Sequence, residues 1–320
     1  MVIYILCPAN RVTGGVELAH QLCCAINRLT EIKAYMWYTD IDNTTRETLV
    51  VNMPLPKDYL MYNTQCIEGL DDFFKMDDTE NVVVFPEGLT GYCRLLDNAR
   101  KVLWWMSVDN YIKSTNESNL DELASEIMLH LYQSFYSKEY VERKIQGAKG
   151  MFLSDYINEQ HGQFLYPAEY RQDIALFNPQ KGFQNIEPLI EKADWIKWIP
   201  LIGMDREKMI LMMQSGKIYV DFGNHPGKDR IPREAAANGC CVITNREGSA
   251  AFYDYVPIPD KYKFENTADS LDDINSLMHD ICDNFKAHQI EFESYRNMIK
   301  SEKKKFDDAV IEFVDFLKKA

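Results

Sequence analysis

Residues 221–244 read DFGNHPGKDRIPREAAANGCCVIT. An apolar strand (Ile218, Tyr219, Val220) runs into a Gly/Asn/His/Pro loop carrying Gly227, Lys228 and Arg230. A helix is predicted to open at Pro232 and close at Gly239, before a second apolar strand at Cys240–Thr244. Taken alone this is an ordinary β–α–β connection. The two cations beside a helix start also make it a candidate anion site, because a helix N-terminus offers unpaired N–H groups and about half a positive charge. Gly223–Lys228 imitates a phosphate-binding P-loop, but that motif needs a wider glycine spacing and a Ser or Thr after its lysine. Asp229 follows Lys228 here and cannot act as a hydroxyl ligand, which excludes a P-loop nucleoside triphosphatase.

The same rhythm of strand, loop and helix extends over the chain. VIYILC is the first strand, Gly14-Gly15 a tight turn, and Glu17–Leu29 a helix with Leu18, Leu22, Ala25, Ile26 and Leu29 on one face. Apolar runs follow at 82–85, 102–107, 128–132 and 151–154, and the alternation restarts after 172. Such alternation predicts an α/β fold of two Rossmann-like, doubly wound domains facing a cleft. The expected divisions are an N-terminal domain (1–158), a linker (159–171), a C-terminal domain (172–300) and a final helix (301–320) packing back toward the first domain. The charges of SEKKKFDD (301–308) are expected to form a solvated helix face, and Trp104-Trp105 to lie in the core. Ligands of such sheets bind beyond the carboxyl ends of the strands, where the Gly14-Gly15 loop and the 223–231 loop would both lie.

At 320 residues, 46% hydrophobic and 26% charged, the chain has normal globular composition with room for two cores. A net charge of −14 argues against nucleic acid as a partner, since such binding depends on neutralising phosphates with Lys and Arg. MVIYILCPANR has no basic leader region, and no run approaches a membrane span. The expected location is cytoplasmic, with peripheral contact at the inner face of a membrane allowed. Cys7, Cys23, Cys24, Cys66, Cys93, Cys240, Cys241 and Cys282 show neither C-x-x-C nor metal-ligand spacing, so they are expected reduced.

On PREAAANGCCVIT, NPQKG (178–182), the N-terminal Gly-Gly turn and VLWWMSVDNY (102–111), the sequence resembles the glycosyltransferases of the B-type fold. That family takes nucleotide-sugar donors. The resemblance implies that Glu234 holds the ribose hydroxyls and that Lys181, with Asn178 beside it, meets the donor diphosphate. It implies donor contacts from Gly14, Gly15, His225, Gly227, Lys228, Arg230, Ile231 and Ser249, and it places Asp109 with Lys181 as the catalytic pair. Many retaining members carry two glutamates in this region, but Pro226 stands where the first would fall, leaving His225 or Lys228 to take its part. The activity implied is transfer of a sugar to a glycan or lipid-linked acceptor in bacterial surface polysaccharide or glycan assembly. A non-catalytic nucleotide-sugar-binding subunit and a nucleotide-sugar epimerase are the alternatives. Asp40-Ile41-Asp42 imitates the metal signature of the other large glycosyltransferase fold, yet reads as a solvated loop. No metal or other cofactor is expected.

Overall fold

The structure is a computed structural model describing residues 1–41, 48–50 and 54–320. The chain folds as two compact units, Met1–Asp155 with Lys304–Ala320, and Tyr156–Lys303. In the first, strands β1 (Val2–Pro8), β2 (Lys33–Ile41), β3 (Thr48–Val50), β4 (Val82–Pro86), β5 (Arg100–Trp105), β6 (Ile127–Tyr132) and β7 (Gly150–Phe152) form one sheet. Its order is β3-β2-β1-β4-β5-β6-β7, parallel except for β3, which pairs antiparallel with β2. Its helices are α1 (Gly14–Leu29), α2 (Leu70–Met76), α3 (Val108–Thr115), α4 (Leu120–Glu126) and α5 (Phe135–Lys144).

The second unit carries β8 (Gln172–Phe177), β9 (Lys197–Pro200), β10 (Gly216–Asp221), β11 (Cys241–Asn245) and β12 (Lys263–Phe264) in the order β12-β11-β10-β8-β9, all parallel. Its helices are α6 (Phe183–Lys192), α7 (Arg206–Ser215), α8 (Arg230–Ala237), α9 (Leu271–Asp283), α10 (Phe285–Glu291) and the first part of α11 (Glu293–Lys319). The central strands of both sheets are continuous apolar runs because helices cover both faces of a parallel sheet. Val82–Phe85 and Ile218–Val220 are fully buried as a result. Both sheets follow the two-domain, doubly wound pattern expected from the alternation.

Several boundaries differ from expectation for local reasons. Thr13 caps α1, its hydroxyl accepting from Val16 N at 3.4 Å, so Gly14 and Gly15 are the first residues of the helix and not a free turn. Asp229 is the N-cap of α8, which places Arg230 and Ile231 inside the helix ahead of Pro232. The helix ends before Asn238, and Gly239 follows at φ +96°. The segment 159–171, read as a linker, packs into the second unit. Arg171 is buried there, its guanidinium donating to the carbonyls of Met213, Gly216 and Asn238.

The longest helix passes from one unit to the other without a break, and Lys304–Ala320 belongs to the first. Its buried residues Tyr295, Ile299, Glu302, Phe306, Val310, Phe313 and Leu317 recur at three- and four-residue spacing, one stripe of an α-helix that Val314 widens. Glu302 lies on that stripe. It is therefore buried, and SEKKKFDD is not a uniformly solvated face. Trp104 and Trp105 are core residues, their indole N–H groups donating to Leu153 O and His130 Nδ1. All eight cysteines are free.

Candidate functional site

In the second unit, β8 and β10 are neighbouring parallel strands whose last pair is Phe177 with Val220. Their exits, Asn178–Gly182 and Phe222–Asp229, therefore lie side by side. Gly182 sits at φ +62°, and a Cβ there would stand 2.5 Å from Phe222 O and 2.7 Å from Gly223 Cα. A Cβ on Gly223 would meet Lys181 Cβ at 2.9 Å. Only glycine at both positions lets the two backbones touch. Asn178 Oδ1 accepts from Gln180 N at 3.0 Å, a local turn that precedes Lys181. The far side of the 222–229 loop is held by Asn245 Nδ2 on Gly223 O at 2.7 Å and by Ser249 N on His225 O at 2.8 Å.

This packing assembles a chain of charges. Asp229 Oδ1 lies 2.9 Å from Lys181 Nζ, and Asp229 Oδ2 lies 2.8 Å from His225 Nδ1. The other ring nitrogen of His225 faces Thr244 Oγ1 at 3.3 Å and Asp221 Oδ1 at 3.9 Å. Asp221 in turn accepts from Tyr219 OH and from Gly223 N. Burial alone would push His225 down, but Asp221 and Asp229 outweigh it and leave its pKa raised. Burial would likewise raise Asp229, yet His225 and Lys181 hold it below the usual carboxylate value.

On α8, Glu234 Oε1 stands 3.6 Å from both Arg230 Nε and His161 Nε2. His161 also meets Asn238 Nδ2 at 2.9 Å, so the 159–171 segment braces this helix. Lys228 points elsewhere: its buried ammonium lies 2.7 Å from Glu302 Oε1 and 5.8 Å from the centre of the Tyr255 ring. Arg233 reaches the other oxygen of Glu302 at 2.8 Å. His225, Gly227, Lys228, Thr244 and Ser249 line a cavity of about 10 Å³, the space of roughly one water. The Ser249 hydroxyl is buried there without a partner among the described residues. The structure thus gathers Lys181, His225, Arg230, Ile231 and Glu234 around the start of α8, with Asn178 and Gly227 shaping the loops. Lys228 is committed to a carboxylate on α11.

In the first unit, Gly14 and Gly15 open α1 just beyond β1. Tyr59 OH grips the cap residue, accepting from Thr13 N at 3.1 Å and donating to Thr13 O at 3.2 Å. A Cβ on Gly15 would meet Met106 Sδ at 3.9 Å, so this turn adjoins the exit of β5. Asp109 is half-buried in the first turn of α3, capped by Ser107. Beside it lies Glu87, which no motif in the sequence marks. Its buried carboxylate accepts from Met106 N at 3.0 Å, and burial pushes it up to about 7 despite that bond. Asp42 lies outside the described residues, so the Asp40-Ile41-Asp42 pair has no structural account. Among the described residues no helix is long and apolar enough to cross a membrane.

No protein-family model and no curated protein matches the chain. Solved structures do. A sucrose-phosphate synthase from Thermosynechococcus elongatus aligns with a TM-score of 0.66 at 12% identity, covering 98% of each chain. Anabaena Alr3699/HepE, solved in complex with UDP-glucose, aligns at 0.70 and 9% identity over 98% of this chain and 99% of that one. A trehalose-6-phosphate protein from E. coli, bound with UDP-2-fluoro glucose, aligns at 0.62 and 10% identity over 99% of both. At such identities the likeness is one of architecture, and the chain has the B-type glycosyltransferase fold.

Proposed function

We propose that the chain is a glycosyltransferase moving a sugar from a nucleotide-sugar donor to an acceptor hydroxyl. The observation that carries this is the interlocked pair of loops, 178–182 and 222–229, which brings Lys181 to the start of α8 with Glu234 one turn inside. That arrangement suits a nucleoside diphosphate. The α8 N-terminus, Lys181 and Arg230 meet the phosphates, and Glu234 meets the ribose. As the bond between the anomeric carbon and the phosphate oxygen breaks, the departing diphosphate keeps the electron pair. Fixed cations and N–H donors stabilise that growing charge. The acceptor oxygen bonds to the anomeric carbon and loses its proton, for which Asp109 is the proposed carboxylate. Gly14 and Gly15 contribute N–H groups from α1. UDP-sugars are the first donors to test, because the HepE and E. coli structures hold them. A glycan or lipid-linked acceptor, in surface glycan assembly in a bacterial cytoplasm, completes the proposal.

Replacing Glu234 with alanine is expected to weaken UDP binding by about 1.5–3 kcal/mol, the scale of a lost charged hydrogen bond. Calorimetry on a variant that melts like the parent checks this, and an unchanged affinity removes Glu234 from the site. Transfer is expected to continue in EDTA, because protein cations neutralise the diphosphate. Activity lost to EDTA and restored by Mg²⁺ or Mn²⁺ would move the chemistry to a metal-dependent scheme. Pro226 in place of a first glutamate favours a second reading, a donor-binding subunit without turnover. Donor binding with neither transfer nor hydrolysis, across an acceptor screen, would select it.

A further inference from the structure

We infer that Asp229 is a positioning residue of the proposed donor site: one carboxylate oxygen holds Lys181, the other holds His225, and the two are presented together at the start of α8. This rests on the donor-site reading above. Asp229 is itself the N-cap of α8 but makes no side-chain capping bond: Pro232, at the third helical position, has no N–H to give, and both carboxylate oxygens face cations. Capping residues normally spend their oxygen on the helix N–H groups. Here the carboxylate links two loops instead.

The groups facing His225 are Asp221 from β10, Asp229 from the α8 cap, Thr244 from β11 and, more distantly, Lys181 from the β8 exit. A proton on Nδ1 is what the 2.8 Å contact with Asp229 requires, and a second proton on Nε2 suits Thr244 and Asp221. His225 is thus built to be a cation, and Asp229 supplies much of the reason. Lys181 acts through the same carboxylate with opposite sign, since its charge disfavours a proton on His225. The lysine side chain is 37% exposed, so its ammonium can exchange Asp229 for a phosphate oxygen while His225 keeps Asp229 in place. The sign of the pH effect follows. A raised histidine pKa keeps the positive charge at low pH and loses it as pH rises through the raised value, so affinity for a diphosphate falls over that window.

The test is a side-chain NMR titration of the full chain, with the His225 signal assigned by its absence in His225→Gln. In Asp229→Asn, which keeps the shape and a good N-cap residue, the proton affinity of His225 is expected to fall about tenfold or more. In Lys181→Met it is expected to rise, because the carboxylate then has one cation fewer. The fall in UDP affinity with pH, measured by calorimetry, should flatten in Asp229→Asn. A His225 midpoint that is the same in parent and Asp229→Asn overturns the inference. If Asp229→Asn fails to fold, an unmoved midpoint in Lys181→Met overturns it. Parent protein that binds no UDP defeats the donor-site reading, while the His225 midpoints still decide the role of Asp229. UDP binding with the same pH dependence in parent and Asp229→Asn defeats the inference and leaves the donor site standing.

Discussion

Lys181→Ala is expected to lower kcat for sugar transfer by about two to three orders of magnitude, the scale of losing one strong contact to a developing anion. Donor KM should change much less. The lysine sits on a loop that cannot drift, because Gly182 and Gly223 let the two backbones interlock beneath it. Its side chain is partly exposed and its ammonium is held by Asp229 at 2.9 Å, poised but not committed. On the proposed donor site Arg230 and the α8 N-terminus would still hold the diphosphate in the ground state, so removing Lys181 is expected to cost modest affinity. Toward the transition state the phosphate oxygens gain charge and the lysine interaction strengthens. An interaction that grows along the reaction raises kcat more than it lowers KM. Lys181→Arg should recover little, because a planar fork does not replace a compact point charge. A merely solvated lysine predicts near-parental kinetics for both variants. Steady-state kinetics with a UDP-sugar and an identified acceptor separate the two, and unchanged kcat in folded Lys181→Ala ends the proposal.

What the sequence made legible follows physical range. Strand runs such as VVVF and KIYVD announce buried parallel strands because their apolarity is local and continuous. The second half of the site was visible for a similar reason: loop, helix start and small-residue run are contiguous from Asp221 to Gly239. A strand end before Asn178 and Lys181 marks by itself only a surface loop, and it is the resemblance of NPQKG to the family's segment that singles them out. Pairings across the fold were not legible. Asp229 entered only as the residue that spoils a P-loop, and its role depends on Lys181, 48 positions away in sequence. Lys228 looked like a free phosphate ligand until Glu302, far along the chain, was found beside it. His161 sat in a segment whose irregular composition hides its packing against α8. Glu87 follows a strand with no motif around it, and only burial marks it. The helical stripe through Tyr295, Ile299 and Phe306 did hold a signal for Glu302, since the same spacing includes position 302.

Glu302→Ala is expected to destabilise the second unit by about 3–5 kcal/mol, the cost of leaving buried charges without their partner. The site is unusual in its count: one carboxylate, 3% exposed, serves both Lys228 and Arg233, whose side chains are 8% and 1% exposed. Arg233 has further support from the carbonyls of Lys228 and Asp229, so its guanidinium is partly satisfied without Glu302. Lys228 has the Tyr255 ring and little room to reach water. Losing the carboxylate removes an ion-pair partner from both cations at once, and hydrating Lys228 requires the 223–231 loop to open. Glu302→Gln, which keeps the shape and loses the charge, should cost less with the same sign. Urea denaturation followed by fluorescence reads the global effect, with Trp195 and Trp198 reporting on the second unit. Hydrogen exchange reads where it falls: faster exchange should appear first in residues 223–231 and the start of α8. A Glu302→Ala chain within about 1 kcal/mol of the parent would mean that the ion pairs only break even against desolvation, as buried pairs can. Exchange that rises evenly over the unit would mean that Glu302 serves the core and not the loop. The expected pattern ties α11 to the 223–231 loop from behind, which gives the buried cation at 228 a structural role.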